Sequence, residues 1–312
     1  MYISEDEVRS CLTYEALIPA IRQALIDYSA GRVTQPPRTI LRAGNSDRAK
    51  DGWFAVMPVI HGDAMGVKTV TFFPGNADLD PRFGLHTHMA IVELLSRTTG
   101  EPLAIMDGRL ITEMRTAAVS AVALDALATA GVTSLGILGA GVQARSHIKV
   151  LRMVRPSLTD VRIWSRNPRS SERLAQESNA RAATLEEAAS ADVVLTVTAS
   201  AEPVLLGRWL KPDAVVLAVG AVGAQLRELD DDAVLGSWLV AESRQGVERE
   251  AGDVVLSGAM IDAEIGEILA TPAFPVPHNR RILFKSVGMA IEDLVAARIV
   301  WQHRSGQHRP AA

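Results

Sequence analysis

The segment at residues 133–144, TSLGILGAGVQA, constrains the fold of this chain more than any other. An apolar strand-like run leads into a glycine turn and then into a helical pattern. Gly139, Gly141 and Ala144 have G-x-G-x-x-A spacing, which allows a tight turn, a close approach to a pyrophosphate and close packing of helix on strand. Free N–H groups at the start of such a helix bind phosphate. The segment therefore predicts a site for a nicotinamide or flavin dinucleotide. The predicted contacts are Gly139, Ala140, Gly141, Val142 and Gln143.

The end of the next predicted strand indicates which dinucleotide is bound. An NAD site normally places an acid about twenty residues after the glycines, where it accepts the ribose 2′-hydroxyl. This strand, at residues 161–164, is instead followed by Ser165, Arg166 and Asn167. A hydroxyl, a guanidinium and an amide suit a 2′-phosphate. NADPH is therefore predicted in preference to NADH, although Arg166 could also stack on the adenine or face solvent.

Strand and helix patterns alternate from residue 135 onwards, which is typical of an α/β fold with a doubly wound parallel sheet. Helical patterns follow Gly141, Pro168 and Thr184. The last strand, beginning at Arg281, precedes a long amphipathic helix with apolar positions at helical spacing. The predicted strands lie at residues 135–138, 161–164, 192–198, 214–219 and 238–241. Val287, Ile291, Leu294, Val295 and Ile299 are the apolar positions of the final helix.

The N-terminal third has a different pattern. Ser4 and Glu7 have capping-box spacing for a first helix, and a second helix is predicted at residues 14–30. Strand patterns then follow without intervening helices, which favours an antiparallel or mixed sheet. These strands are predicted at residues 38–42, 53–59, 67–73 and 88–95, and an alanine-rich helix at residues 115–130.

Composition excludes several classes of protein. The 312 residues are 48% hydrophobic with a net charge of −4, which suits a globular enzyme and gives no electrostatic reason to expect nucleic acid. Cys11 is the single cysteine, so neither a disulfide framework nor a cysteine metal site is expected. His86 and His88 would share a strand face, but no third ligand has recognisable spacing, and no metal is predicted. Without a signal or membrane-spanning pattern, we expect a cytoplasmic protein with no membrane partner.

Five blocks of the sequence together resemble the ornithine cyclodeaminase/mu-crystallin family, and most of all its mu-crystallin and ketimine reductase members. The longest is TGEPLAIMDGRLITEMRTAAVS at residues 99–120. The others are ILGAGVQA (137–144), RELD (227–230), GDVVLSG (252–258) and FKSVGMAIED (284–293). The resemblance implies a Rossmann NAD(P)-binding domain at residues 116–286, inserted into a discontinuous, mostly β domain. That second domain, residues 1–115 and 287–312, would bind substrate and form a homodimer.

The resemblance also implies a small α-amino or α-imino acid as substrate, its carboxylate held by Arg38, Lys68 and Arg115. The residues themselves agree, because Lys68 lies in an apolar strand pattern and Arg115 opens an almost wholly apolar predicted helix. Buried cations are costly unless paired, and an anionic substrate would supply the pairing. Structural ion pairs or exposed charges are the alternatives. Lys68 and Arg115 are the predicted catalytic residues, and Lys68 could also donate the proton that C=N reduction requires.

Other site residues are implied by the resemblance alone. His88 would lie beside the cofactor or substrate, unless it is a hydrogen-bonded structural histidine. Glu250 falls in the match to the substrate pocket. Thr198 and Val219 would contact the cofactor from strand ends, where a doubly wound sheet presents ligands. Ser286, at the predicted start of the last helix, would lie near the nicotinamide.

One departure from the family pattern bears on the reaction. Ornithine cyclodeaminases carry an aspartate shortly after the glycine that corresponds to Gly220, and here Val222 stands at that place. Valine cannot accept a proton, so the cyclodeaminase reaction is disfavoured. The sequence predicts an NADPH-dependent reductase of cyclic ketimines such as 1-pyrroline-2-carboxylate or 1-piperideine-2-carboxylate, giving L-proline or L-pipecolate. The alternatives are an amino-acid dehydrogenase, an opine-type N-alkylating imine reductase and a mu-crystallin-type protein that binds NADPH and a carboxylate ligand without turnover.

Overall fold

The computed structural model describes residues 1–44, 52–79 and 85–306. Contacts between residues divide the chain into two compact units. The first unit contains Met1–Ala24, Gly31–Arg115 and Met289–Ala312, and the second contains Leu25–Ala30 and Thr116–Gly288. None of the described helices is long and apolar enough to cross a bilayer.

The helices and strands alternate as follows along the chain, with short 3-10 helices at Pro74–Asp78 and Gly207–Trp209. The first half contains β1 (Tyr2–Ile3), α1 (Glu5–Cys11), α2 (Tyr14–Ser29), β2 (Thr39–Arg42), β3 (Trp53–His61), β4 (Ala64–Phe72), β5 (His88–Ser96), β6 (Pro102–Asp107), α3 (Arg109–Leu127), β7 (Ser134–Leu138) and α4 (Val142–Val154). The second half contains β8 (Asp160–Trp164), α5 (Pro168–Glu177), β9 (Arg181–Ala182), α6 (Leu185–Ala189), β10 (Val193–Thr196), β11 (Val215–Ala218), α7 (Asp231–Leu235), β12 (Trp238–Ala241), α8 (Arg244–Glu250), α9 (Gly252–Ser257), β13 (Ala263–Glu264), α10 (Ile265–Ala270), β14 (Ile282–Lys285) and α11 (Ala290–Ser305).

The first unit is built on a mixed sheet. Its described strands have the order β1-β6-β5-β4-β3-β2, and all neighbours are antiparallel except β1 and β6. Burial alternates along β4, where Ala64, Gly66, Lys68 and Val70 are buried and the residues between them are partly exposed. Helix α11 packs against β3, β4 and β5. Because successive strand residues face opposite sides, Lys68 lies on the inner, buried face of this sheet.

The second unit is a doubly wound sheet, as the sequence predicts. The described strands have the order β13-β12-β14-β11-β10-β7-β8-β9, and all neighbouring strands are parallel. Strand β7 is the first of this sheet in sequence. The chain continues from it to β8 and β9 on one side and to β10 and β11 on the other, so the strand order reverses between β7 and β10. Dinucleotides bind at such a reversal, outside the carboxyl ends of the strands.

The helix that carries Arg115 begins earlier than the sequence predicts. We expected Arg115 to open this helix, but α3 begins at Arg109. The Asp107 carboxylate accepts a hydrogen bond of 3.0 Å from the backbone N–H of Arg109, which satisfies one of the free donors of the first turn. Leu110 and Ile111 are buried on the same helix. Arg115 therefore lies inside the helix and not at its start.

The final helix begins later than the sequence predicts. Ser286 and Val287 precede it, because α11 begins at Ala290. Gly288 has φ +82°, which a right-handed helix cannot contain, and its N–H donates to the carboxylate of Glu242. The predicted helix start at Ser286 is therefore wrong.

Smaller differences concern strand ends. His86 lies before β5, so it does not share a strand face with His88, and its carbonyl accepts a hydrogen bond from Asn76. Thr198 lies beyond the end of β10, although the predicted strand included it. The sequence analysis also missed β1 and β6, which are short and lack an alternating polar pattern.

Candidate functional site

Two cations and two carboxylates form a buried cluster in the first unit. The Lys68 ammonium lies 2.7 Å from Asp293 Oδ2, and the Arg115 guanidinium lies 3.1 Å from Asp293 Oδ1. Arg115 also donates to Glu292 at 2.7 Å. All four residues are at least 95% buried. Asp293 therefore joins both cations, one through each carboxylate oxygen, and fixes their positions.

Three elements bring these side chains together. Lys68 comes from the inner face of β4, Arg115 from α3, and Glu292 and Asp293 from the first turn of α11. The acids come from a part of the chain 177 and 178 residues away from Arg115. Such long-range pairing cannot be derived from local periodicity.

The acids correct one expectation of the sequence analysis. We expected an anionic substrate to provide the charge partner for Lys68 and Arg115, but Asp293 and Glu292 already do so. The available signal was the pair of adjacent acids between Ile291 and Leu294 in a helix of largely buried residues. A buried acid pair is unusual unless cations face it.

A third cation lies near the cluster. Arg38, half-buried just before β2, lies close enough to lower the pKa of Lys68 by repulsion. Burial, followed by the repulsion of Arg115, lowers the pKa of Lys68 to about 8, although Asp293 opposes the shift. Lys68 therefore holds its proton at neutral pH and can release it in mildly alkaline solution.

His88 borders the cluster in an aromatic setting. Trp53, Phe72 and His88 stand opposite one another on β3, β4 and β5. The Phe72 and His88 rings are 4.8 Å apart, and the Trp53 and His88 rings are 6.0 Å apart. His88 is exposed at its surface, but withdrawal of its ring from water, together with the repulsion of Lys68 and Arg115, lowers its pKa to about 4. His88 is therefore neutral at physiological pH and adds no charge to the site.

The glycine turn of the second unit has the geometry of a dinucleotide site. Gly139 has φ +124°, and a Cβ there would lie 2.7 Å from the carbonyl oxygen of Val197. A Cβ at Gly141, by contrast, would meet open space above the start of α4. Gln143 Oε1 is buried and accepts no hydrogen bond from the residues that the structure describes. A tight turn, an open approach to a helix N-terminus and an unsatisfied acceptor together fit a bound dinucleotide.

The three residues that follow β8 differ in whether their side chains form hydrogen bonds with neighbouring residues. The Ser165 hydroxyl donates to the carbonyl of Asn167 at 2.7 Å. Asn167 caps α5 by accepting from the N–H of Arg169 at 3.2 Å. Arg166 is exposed. No acid stands at this strand end, so the structure leaves a guanidinium where a dinucleotide ribose would lie.

Two other predicted cofactor residues are held by buried acids in the same unit, and a third is packed in its core. Both the N–H and the hydroxyl of Thr198 donate to Glu228, at 2.6 and 2.8 Å. The Ser286 hydroxyl donates to Glu242 at 2.6 Å. Val219 is buried just after β11. Sequence reasoning missed Glu228 and Glu242, whose burial depends on contacts between segments that are distant in the sequence.

Glu250 and Val222 lie elsewhere in this unit. Glu250 is half-buried at the end of α8, and its carbonyl accepts from the N–H of Gly223 at 2.6 Å. Glu250 is therefore hydrogen-bonded to the residue that follows Val222 in the sequence. Val222 itself packs against the apolar core. At this position the chain therefore presents a packed aliphatic side chain with no acid–base function.

Comparisons with known proteins match the chain over nearly its whole length. A model of the ornithine cyclodeaminase/mu-crystallin family matches residues 1–308. The chain is 40% identical to the ketimine reductase mu-crystallin of Mus musculus over 310 residues, which is 96% of each protein.

Two solved structures have a similar fold. Thermococcus litoralis Delta(1)-pyrroline-2-carboxylate reductase, solved with NADH and L-proline, aligns with a TM-score of 0.90 and 30% identity over 98% of each chain. An archaeal alanine dehydrogenase dimer with bound NAD also aligns with a TM-score of 0.90, at 26% identity, over 100% of this chain and 98% of that one. Both similarities extend across the two units of the chain.

Proposed function

Because the chain belongs to the ornithine cyclodeaminase/mu-crystallin family, we propose that it is an NAD(P)H-dependent reductase of cyclic ketimines. Its substrates would be 1-pyrroline-2-carboxylate or 1-piperideine-2-carboxylate, and its products L-proline or L-pipecolate. The ketimine and pyrroline-carboxylate reductases among its relatives support this reaction class. The observation that carries the proposal is the buried cluster of Lys68, Arg115 and Asp293, in which one carboxylate holds two cationic side chains in fixed positions.

The cluster would bind the carboxylate of the imine. Arg38, Lys68 and Arg115 supply charge-assisted donors, and Arg115 can present a planar guanidinium edge. Asp293 prevents Lys68 and Arg115 from reorienting, since it bonds to both. A carboxylate fixed in this way fixes the carbon next to it, and orientation of the reacting carbon accounts for much of an enzyme's rate.

The same cluster would supply the proton that the imine nitrogen takes up in the reaction. A bound nicotinamide supplies the hydride that reduces the imine carbon, and the nitrogen must carry a proton when this carbon–hydrogen bond forms. Lys68 holds a proton below pH 8 and is the candidate donor. Its donation would leave a neutral amine beside Asp293, and solvent would restore the proton.

NADPH is the proposed cofactor. The glycine turn and the start of α4 would hold the pyrophosphate, and Arg166 would pair with the 2′-phosphate. Support comes from the exposed guanidinium and from the lack of an acid among Ser165, Arg166 and Asn167, the residues that follow β8. NAD(H) bound to the structural relatives supports the coarser statement that a nicotinamide dinucleotide is used.

Val222 supports imine reduction over cyclodeamination. A cyclodeaminase needs a group that accepts a proton from the attacking side-chain amine, and Val222 offers none. Reduction of a preformed ring needs no such group.

A homodimer is proposed through the outer face of the mixed sheet. Apolar side chains that are more than a third exposed lie on the neighbouring strands β5 and β6 of this face, among them Met89, Ile91 and Ile105. An apolar patch of this kind on a soluble protein marks an association surface. We expect light scattering to give the mass of a dimer, and Ile91→Lys to give a monomer.

The direct test of the proposed function is NADPH oxidation, followed by absorbance, with each cyclic imine. NADH, L-ornithine with NADP⁺, and 2-oxo acid with ammonia or methylamine are run alongside. Turnover of a cyclic imine with preference for NADPH supports the proposal. Turnover of an oxo acid with ammonia or methylamine, without turnover of either cyclic imine, indicates a dehydrogenase or N-alkylating reductase. Ligand-dependent thermal stabilisation without any oxidation indicates a binding protein.

A further inference from the structure

A fully buried carboxylate joins the ends of two neighbouring strands in the second unit. Glu228 has no solvent exposure, and it lies in a loop and not in a helix or strand. Its Oε1 accepts from the N–H and hydroxyl of Thr198 at 2.6 and 2.8 Å. Its Oε2 accepts from the Thr196 hydroxyl at 2.8 Å and from the N–H groups of Gly220 and Ala221 at 2.8 and 3.1 Å. One side chain therefore fixes the carboxyl ends of β10 and β11.

The backbone of Glu228 is held in its turn by a buried ion pair. Asp253 Oδ1 accepts from the N–H groups of Glu228 and Leu229, at 2.7 and 2.9 Å. Its other oxygen lies 2.7 Å from the ammonium of Lys285, which also donates to the carbonyl of Ala221. The loop that carries Glu228 is thus tied to β14 as well as to the two strand ends.

These strand ends lie next to the reversal of strand order. The phosphate-binding glycine turn follows β7, and β10 and β11 are the next strands on the side away from β8. A dinucleotide with its adenosine half at β8 must therefore place its nicotinamide half near β10 and β11. Thr198 and Val219, at these two strand ends, are predicted cofactor contacts.

The packing at this point leaves little room for adjustment. A Cβ at Gly220 would lie 2.2 Å from the carbonyl oxygen of Thr198 and 2.6 Å from Glu228 Oε1. The two strand ends therefore approach more closely than any residue other than glycine permits. A change in the Glu228 carboxylate must move at least one of them.

We propose that Glu228 is the positioning residue for the nicotinamide half of the cofactor, acting by fixing the ends of β10 and β11 in one geometry. This inference rests on the proposed function, since it requires that the second unit bind a nicotinamide dinucleotide. Glu228 does not touch the cofactor itself. It acts through the backbone of Thr198 and Gly220, which border the place where the nicotinamide half would lie.

An amide cannot replace this carboxylate in either orientation. Each oxygen of Glu228 faces at least one backbone N–H: that of Thr198 at Oε1, and those of Gly220 and Ala221 at Oε2. The NH₂ group of a glutamine would thus meet a donor whichever way it turned. A buried donor left without an acceptor costs about 1–3 kcal/mol, so a strand end should shift.

The test compares two matched pairs of variants in the intact protein. Glu228→Gln and Thr196→Val alter the proposed positioning contact. Glu264→Gln and Ser29→Ala alter a similar buried contact at β13, where Ser29 donates to Glu264 at 2.5 Å. Strand β13 is at the far edge of the same sheet. Each variant is measured for NADPH affinity by fluorescence, for the KM of the imine, and for the primary isotope effect with NADPH deuterated at the transferred position.

We expect Glu228→Gln to weaken NADPH binding roughly 5- to 100-fold and to raise the isotope effect on kcat, with the KM of the imine unchanged. Thr196→Val, which removes a single hydroxyl donor, should cause a smaller change in the same direction. It provides a second test of the same contact if Glu228→Gln does not fold. Glu264→Gln and Ser29→Ala should match the wild-type protein in both quantities. The inference would be overturned if neither Glu228→Gln nor Thr196→Val changed the isotope effect or the NADPH affinity. It would also be overturned if Glu264→Gln and Ser29→Ala changed these two quantities as much. A wild-type protein that binds no nicotinamide nucleotide would instead overturn the proposed function.

Discussion

Each unit of this protein buries a lysine–aspartate pair at the same separation, and the two pairs differ in what surrounds them. Lys68 lies 2.7 Å from Asp293 in the first unit, and Lys285 lies 2.7 Å from Asp253 in the second. Around Lys285, the further contacts are a backbone carbonyl and, through Asp253, two backbone N–H groups. Around Lys68, the further groups are the cations Arg115 and Arg38.

A buried ion pair can therefore support the fold in one environment and ligand binding in another. The pair of Lys285 and Asp253 connects backbone groups of adjacent segments, and the Glu228 carboxylate also lies near Lys285. In the first unit, the cations Arg115 and Arg38 lie near Lys68 and repel its charge. The distance within an ion pair therefore says little about its role, and the charges next to it say more.

The largest expected effect concerns Lys68. Lys68→Met should lower kcat/KM for a cyclic ketimine by about 100-fold or more, because the variant loses a carboxylate contact and the candidate proton donor. Stability should change less, since Asp293 keeps its bond to Arg115. Steady-state kinetics with NADPH measure the effect. Full turnover at saturating substrate would exclude Lys68 as the proton donor.

The matching change in the second unit should affect folding. Lys285→Met leaves the fully buried Asp253 carboxylate without its cation, and breaking a buried pair on one side costs about 3–5 kcal/mol. Denaturant titration measures the loss in the free energy of unfolding. If Lys285→Met and Lys68→Met lost the same stability, the distinction between the two pairs would fail.

A smaller effect is expected at the cofactor end of the second unit. Arg166→Gln should reduce the preference for NADPH over NADH about 10- to 100-fold, because a charge-assisted contact to the 2′-phosphate is lost. The kinetic constants with NADH provide the control within the same variant and should not change. An unchanged preference would place Arg166 in solvent or against the adenine.

The smallest effect is a pH dependence. The pKa of Lys68 is lowered from 10.5 to about 8, so its ammonium form dominates below that pH and is lost above it. We expect kcat/KM for imine reduction to be level near neutrality and to fall about tenfold per pH unit above pH 8. His88, with a pKa of about 4, should contribute no step between pH 5 and 7. A decline that persists in Lys68→Arg would belong to the substrate and not to Lys68.

The second unit was the easier of the two to predict from sequence. Its glycine turn and alternating strands are local patterns, and the structure contains each of the predicted parallel strands, with small shifts at their ends. Arg166 was likewise predicted from its distance to the glycine turn. The role of Glu228 could not be predicted, because its environment consists of five hydrogen-bond donors that two separate strand ends bring together.

Only part of the candidate site of the first unit could be predicted from the sequence. Lys68 and Arg115 stood out as cations in apolar patterns, and the family resemblance gave them a role. Their partners, Glu292 and Asp293, resembled the solvent-facing residues of an amphipathic helix. Only the packing of α11 on the mixed sheet shows that these acids point inward. The start of α3 was misplaced for a similar reason, since Leu110 and Ile111 are buried by tertiary contacts.

Binding of the substrate carboxylate by the Lys68 cluster is tested most simply with a substrate that lacks this group. For the wild-type protein, Lys68→Met and Lys285→Met, kcat/KM is measured with 1-piperideine-2-carboxylate and with 1-piperideine, and the ratio of the two values is compared. We expect this ratio to be large in the wild-type protein, retained in folded Lys285→Met and reduced at least about tenfold in Lys68→Met. An equal ratio in the wild-type protein and Lys68→Met would contradict the claim.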